Sequence, residues 1–366
     1  MRHIREYDGL RGVMAIWVLL GHFTSSIFLS IPHIPANLSN RQAVDVFIIL
    51  SGFAIAVLID RSHEPYGIYI ARRALRIFPV YWVYLSASVA ITLLLPFVWQ
   101  DAPAGAMKEA RSHILASSIS YFWPNIATHI PALHSLIPDR IIPQGEYAFL
   151  GQAWSISLEW QFYLIAPFVI PALLAARRSW SMALGLLAVF LVLAFIGRAM
   201  PMGFVGRYAI FFAIGIATHH LLNWQKTRSI QISTIATIAI FVIGALVLLR
   251  VPSVLPISIW VAVSACVLAH INAYKSRLSQ LLTSRVALWI GERSYSVYLA
   301  HMIPLTIGMN ALEKAGIEEP ITHAVSLLII TVLGTVALAY LSFRWIEQPF
   351  QRLGKQLSTR AQQAPA

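Results

Sequence analysis

The chain has 366 residues, 58% of them hydrophobic and only 11% charged, with a mean hydropathy of +0.70. Globular domains run at roughly 45–50% apolar and about 25% charged, so this composition excludes a water-soluble protein. The formal charge of +12 is spread over short segments between apolar runs rather than gathered on one basic face, which argues against nucleic acid as a partner.

Apolar stretches of about 18 to 22 residues recur along the chain, each long enough to cross the hydrocarbon core. Ten candidate spans fall at residues 10–30, 42–60, 77–98, 154–175, 180–197, 204–223, 231–249, 254–271, 294–311 and 322–343. The expected fold is all-α, a polytopic membrane protein of about ten transmembrane helices. One membrane domain fills residues 1–350, and a short cytoplasmic tail follows at 351–366. Lys and Arg are retained in cytoplasmic loops. With the N-terminus inside, the cytoplasmic segments hold 18 of the 27 basic residues and the opposite side 8, Arg11 being assigned to the first span. Both termini are therefore expected in the cytoplasm. A cleaved signal peptide fits the first segment poorly, because the run is long, His22 interrupts it and no small-residue cleavage site follows. The single cysteine, Cys266, excludes an intrachain disulfide and a Cys-based metal site.

In the first span Arg11 and His22 are eleven residues apart, almost three helical turns, so they share one face at roughly 16 Å along the axis. Ionisable groups inside a span are expensive and mark function by default. Neutral imidazole suits proton transfer near pH 7, which makes His22 the first catalytic candidate; its ordinary alternative is a histidine hydrogen-bonded between helices. Arg11 either snorkels to lipid phosphates or meets an anionic ligand. In the second span Asp45 needs a partner, and His22 or a neighbouring arginine is the natural one. Ser51 and Gly52 follow, with close helix packing as the alternative to a hydroxyl in a cavity.

Before the third span, Arg73 and Arg76 stand one helical turn apart at the cytoplasmic entrance, in a stretch that also holds Arg72. Guanidinium groups at that spacing can clamp phosphates, against the plain alternative of positive-inside bias. The segment 99–153 carries Tyr121, Phe122, Trp123 and several X-Pro steps. It reads as a folded cap or re-entrant piece, or equally as a loop resting on lipid headgroups. In the fourth span Glu159, Gln161 and Tyr163 are too polar for a lipid face and are expected near the outer mouth of a cavity. His219 and His220 are adjacent, so they point to different faces and carry no metal-site reading. In the ninth span Tyr298 and His301 lie one turn apart, with a structural or binding role expected for His301.

Five motifs in order resemble the acyltransferase 3 family: Arg11-x10-His22, Asp45 through Ser51-Gly52-Phe53, Arg73-x-x-Arg76, Trp154-Ser-Ile-Ser-Leu-Glu159-Trp160, and Ser294-Tyr-Ser-Val-Tyr298-Leu-Ala-His301. The resemblance implies a membrane O-acyltransferase of the bacterial cytoplasmic (inner) membrane. It would take an acyl group, usually acetyl, from cytoplasmic acetyl-CoA to a sugar hydroxyl of an exopolysaccharide, O-antigen or related glycan. Acyl-CoA is then a donor substrate rather than a permanently bound cofactor, and a glycan or lipid-linked sugar is the acceptor. Arg11, Arg73 and Arg76 become acyl-CoA-binding candidates. His22 becomes the general base or an acyl-carrying nucleophile, with Asp45 or Glu159 orienting it. Ser51, Tyr163, Tyr298 and His301 are left as cavity or acceptor-site candidates. Some members carry a further extracytoplasmic esterase domain. This chain shows none, so transfer is expected to be finished by the membrane domain or by a separate periplasmic partner. The rival function is a proton-coupled transporter or acyl-group translocator, with His22, Asp45, Glu159 and His301 as a relay, although the paired halves common in transporters are not visible.

Overall fold

The computed structural model describes residues 3–27, 40–62, 64–94, 106–176, 179–225, 254–271 and 276–363. No strand occurs among them. The helices, numbered as they are described, are α1 (Arg5–Ile27), α2 (Asn40–Arg61), α3 (Tyr66–Leu94), α4 (Ala106–Ser120), α5 (Phe122–His129), α6 (Trp154–Ala176), α7 (Trp180–Ile196) and α8 (Ala209–Gln225). They continue with α9 (Val254–Ile271), α10 (Arg277–Leu282), α11 (Arg285–Glu292), α12 (Ser294–Ala300), α13 (Met302–Lys314), α14 (Pro320–Ser342) and α15 (Gln348–Gln363), with a π-helical turn at Phe343–Glu347 joining the last two. Several starts follow directly from residue chemistry. Ser179, Ser276 and Ser284 accept the backbone N–H groups of Met182, Ser279 and Ala287, and Glu319 accepts two N–H groups ahead of Pro320, satisfying donors that a helix leaves open at its first turn.

Seven helices among the described residues are long and apolar enough to cross a membrane, against the ten spans expected along the whole chain. The candidate span 231–249 lies outside the described residues. Span 204–223 contributes only a shorter apolar helix, Ala209–Asn223. Span 294–311 is interrupted, α12 ending at Ala300 and α13 starting at Met302. Pro304 accounts for that break: it has no N–H for the carbonyl four residues back, and its ring disfavours helical backbone before it. The third helix begins at Tyr66, well ahead of the expected residue 77, because a polar stretch continues the apolar one as helix and Pro79 is accommodated inside it. Helix α7 has no buried residue at all; apolar on every side, it needs lipid as its solvent.

The chain divides into two compact units. The first takes Met1–Gly21, Asn37–Ser62 and Ile210–Tyr295. Its helices approach until their backbones touch. A Cβ built on Gly52 would lie 2.4 Å from the Phe212 carbonyl oxygen, and one on Gly215 2.1 Å from that of Ile49, so α2 and α8 cross at paired glycines. Gly12 and Gly291 do the same for α1 and α11. Polar ties complete the unit. Glu6 accepts from His270 Nδ1 (2.5 Å) and Ser279 Oγ (2.7 Å), while Tyr7 bonds Ser264 (3.0 Å) and stacks on Trp260 (4.7 Å, 12°).

The second unit takes His22–Ala36, His63–Ala209 and Ser296–Ala366. Phe23 and Ile27 from the end of α1 pack with Leu305, Met309, Leu312, Ala324 and Leu327 of α13 and α14. Helix α15 is amphipathic and lies along the start of α3. There Arg72 Nη1 donates to both Glu64 carboxylate oxygens (2.7 Å each) and to Ser358 Oγ (3.2 Å), and Gly354 faces Arg72. Residues 106–153 are folded, as helices α4 and α5 and three 3-10 turns at His134–Leu136, Gly145–Tyr147 and Gly151–Ala153. Ala132, Gln144 and Phe149 in this segment adopt positive φ (53°, 54° and 58°), a conformation that side chains rarely take unless their surroundings dictate it. Tyr81 donates to the His129 carbonyl (2.9 Å), Gly203 N–H to the Glu146 carboxylate (3.0 Å), and Gln161 bonds both Gly203 O (2.9 Å) and Val205 N (3.0 Å).

The crossing of α2 and α8 leaves no room for a methyl group. Gly52→Ala is expected to destabilise the protein by about 1–3 kcal/mol through overpacking. Gly67→Ala, where a Cβ meets nothing within 4 Å, should be neutral or stabilise by about 0.5–1 kcal/mol. Thermal unfolding of the two variants in detergent checks the contrast, and equal midpoints would remove the close approach as a constraint.

Candidate active site

Helix α1 carries both Arg11 and His22 on one continuous helix, Arg11 falling in the first unit and His22 in the second. Within the second unit His22 is half-buried and faces His301, whose imidazole centroid is 5.1 Å away with the rings tilted by 36°. His301 is 1% exposed and sits at the turn between α12 and α13. The break in the helix leaves backbone carbonyls to be satisfied, and two side chains do so: His301 Nδ1 bonds Tyr298 O (2.7 Å), and Gln152 Nε2 donates to Leu299 O (3.1 Å). Tyr298 is buried beside them, its hydroxyl donating to Gln152 O (2.9 Å) and bonding Ser155 Oγ (2.7 Å). The sequence reading paired Tyr298 with His301. The structure keeps that pair and adds His22 to it.

Arg111 of α4 completes the group. Its guanidinium donates to Ser26 Oγ (3.2 Å), and Ser26 in turn donates to the His22 carbonyl (2.8 Å). Burial draws the Arg111 guanidinium down to about 10, still cationic at neutral pH. Sequence reasoning counted Arg111 only as a loop charge. No periodicity or spacing links it to His22, and only the folding of residues 106–153 brings it there.

A second cluster surrounds the arginines of α3. The Arg73 guanidinium lies 5.7 Å from the centroid of the Tyr163 ring, and the Tyr163 hydroxyl donates to Glu159 Oε1. Arg76 acts electrostatically on Tyr163 as well. The sequence reading set Glu159 and Tyr163 at the outer mouth and the arginines at the inner entrance, whereas the structure brings Arg73 and Tyr163 together. Because α3 starts at Tyr66, Arg73 and Arg76 lie inside the helix rather than ahead of it, and they reach the middle of α6. Gln161, expected to line a cavity, holds the backbone of Gly203 and Val205 instead.

Asp45 and Ser51 belong to the first unit, on α2. Asp45 is 5% exposed, feels Arg41 one turn away on the same helix, and its Oδ1 has no hydrogen-bond partner among the described residues. A neighbouring arginine was one of the two partners expected for it. Gly52 is used for helix packing.

Helices, a histidine pair among apolar helices, and a partly buried arginine pair beside a carboxylate make a site suited to acyl or proton transfer. Comparison with known proteins decides the family: the acyltransferase 3 family, described as an acyltransferase domain, matches residues 4–340. The chain belongs to that family. It is 24% identical over 323 residues to the exopolysaccharide production protein ExoZ of Rhizobium meliloti, covering 85% of this chain and 90% of that protein. It is 23% identical over 395 residues to the peptidoglycan O-acetyltransferase OatA of Listeria monocytogenes, covering 96% of this chain and 56% of that protein. It spans 60% of the length of its Staphylococcus aureus relatives. No solved structure matches.

Near this site, in the segment that supplies Arg111, His129 and His134 stack face to face (3.9 Å, 5°), and neither was singled out from sequence. Burial lowers His129 to about 4, and burial together with its neighbour's charge holds His134 well below the ordinary imidazole range. The unfolded chain takes up protons near pH 6.5, whereas the folded one does not until lower pH. Stability is therefore expected to fall as pH drops from about 6.5 towards 4, by up to about 1.4 kcal/mol per pH unit for each histidine. Thermal midpoints measured at pH 7 and pH 5 should separate more in the wild type than in His134→Phe; equal separations would remove the pair as the cause.

Proposed function

We propose that this family member is a multi-pass O-acyltransferase of the bacterial cytoplasmic membrane, with both termini in the cytoplasm, transferring acetyl from acetyl-CoA to a sugar hydroxyl of a surface polysaccharide. The observation that carries the reading is the His22–His301 pair with Arg111 beside it, in an acyltransferase domain that is helical among the described residues. The names of the relatives, an exopolysaccharide production protein and a peptidoglycan O-acetyltransferase, support a glycan acceptor.

His22 is the general base. As the acceptor oxygen bonds to the thioester carbonyl carbon, the hydroxyl proton moves to His22, the carbon–sulfur bond breaks, and the departing CoA thiolate takes the proton. Arg111, cationic next to the ring, is suited to steady the negative charge that builds on the carbonyl oxygen. CoA is polyanionic. Arg73 and Arg76 suit its phosphates, since charge-assisted guanidinium–phosphate bonds are the strong ones. Arg11 is a further candidate for the donor, and Tyr163, Tyr298, Ser51 and Asp45 for the lining of the path. The Glu159 carboxylate, engaged by Tyr163, is better suited to holding the arginine cluster than to orienting His22.

His22→Ala is expected to lower transfer of labelled acetyl from acetyl-CoA to cell-envelope polysaccharide by about 10²–10⁴-fold at unchanged protein level. Normal labelling by the variant would take His22 out of the chemistry. Labelled acetyl crossing the membrane without reaching glycan would favour a translocator. Replacing Arg73 and Arg76 by Gln should weaken acetyl-CoA binding about tenfold or more, each lost charged hydrogen bond contributing about 1.5–3 kcal/mol. An unchanged Kd for both variants would return the arginines to topology alone.

A further inference from the structure

The geometry around the break between α12 and α13 assigns a role to His301, on the reading that His22 is the base. We propose that His301 is the positioning residue of the transfer, its Nε2 lone pair accepting the N–H of His22 and so fixing which His22 nitrogen faces the acceptor hydroxyl. A carbonyl oxygen only accepts, so the 2.7 Å contact between His301 Nδ1 and Tyr298 O puts the proton of the neutral ring on Nδ1. Nε2 is then an acceptor by necessity. It is buried, and among the described residues it has no hydrogen-bond partner. Buried polar atoms rarely stay unpaired, and one held so beside a reacting group calls for a donor.

Of the donors on the neighbouring elements, the Tyr298 hydroxyl gives its proton to Gln152 O. His22, with its ring centroid 5.1 Å away and tilted rather than stacked, remains within a ring rotation of His301 Nε2. Glu159, the carboxylate of this unit that the sequence offered for orienting His22, is occupied by Tyr163. A neutral imidazole takes its place. It orients the base without adding a second charge to a water-poor site. During transfer the N–H shared with His301 stays on its nitrogen, while the opposite nitrogen of His22 receives the hydroxyl proton and gives it to the CoA thiolate.

Two substitutions separate positioning from support of the helix break. His301→Asn keeps a donor near the Tyr298 carbonyl and removes the acceptor at the Nε2 position. His301→Gln keeps an acceptor at that position and gives up the short-range donor. The test is the tautomer of His22, read from ¹⁵N-histidine spectra of the full chain in lipid nanodiscs, with His22→Ala identifying its signals. The wild type and His301→Gln should each show one tautomer at His22, and His301→Asn a mixture. Transfer from acetyl-CoA should follow, kcat falling about 10–100-fold in His301→Asn with the KM for acetyl-CoA unchanged, and less in His301→Gln. A single wild-type tautomer at His22 in His301→Asn, or a higher kcat in His301→Asn than in His301→Gln, would overturn the assignment. The spectra decide it even if the wild type transfers no acetyl at all, an outcome that would instead sink the functional reading.

Discussion

A backbone carbonyl left without a donor in hydrocarbon costs several kcal/mol, and the interruption of the helix at His301 would expose more than one. That constraint organises the second unit. Pro304 stops the regular ladder, the Tyr298 carbonyl is taken by the His301 imidazole, and the Leu299 carbonyl by the Gln152 side chain. Once His301 is committed to a carbonyl, its ring cannot turn, its tautomer is set, and its ring faces His22. The same commitment brings the start of α6 to α12, where Tyr298 bonds both Gln152 and Ser155. A local breach of helix geometry thus places His301, Tyr298 and Gln152 together on the side of the unit that His22 faces.

Both units combine close packing with polar ties between distant parts of the chain. In the first, crossings at Gly52 with Gly215 and at Gly12 with Gly291 bring backbones into contact, and dispersion over these surfaces replaces the hydrophobic drive that lipid cannot provide. In the second, the ties are polar and run between distant parts of the chain: Glu64 with Arg72 and Ser358, Ser296 with Glu347 (2.6 Å), Tyr84 with Ser342 (3.0 Å). Removing one partner of such a tie leaves the other buried and unpaired, which is the costly direction for a membrane interior.

Much of this was legible in the residues. Composition settles the membrane class, and spans such as 254–271 coincide with the observed helix, because twenty apolar residues have few other fates. His22 and His301 stand out since an imidazole in a span is expensive. The arginines of α3 were misplaced relative to Tyr163 for an equally physical reason: hydropathy locates the apolar part of a helix and is blind to a polar turn that continues it. Arg111, Gln152 and the stacked pair His129 and His134 carry no sequence signal. Their roles arise from three left-handed backbone positions and a set of side-chain-to-backbone bonds that no periodicity encodes.

The join between α14 and α15 has a mechanical meaning. Pro320–Thr359 runs as 40 residues of helix, about 60 Å long, twice the roughly 30 Å hydrocarbon thickness. Only half of it can be dissolved in lipid. The polar half is pinned to the base of α3 by Arg72, next in sequence to Arg73. The rod therefore acts as a spacer: through Ser358 and Arg72 its polar half fixes the start of α3.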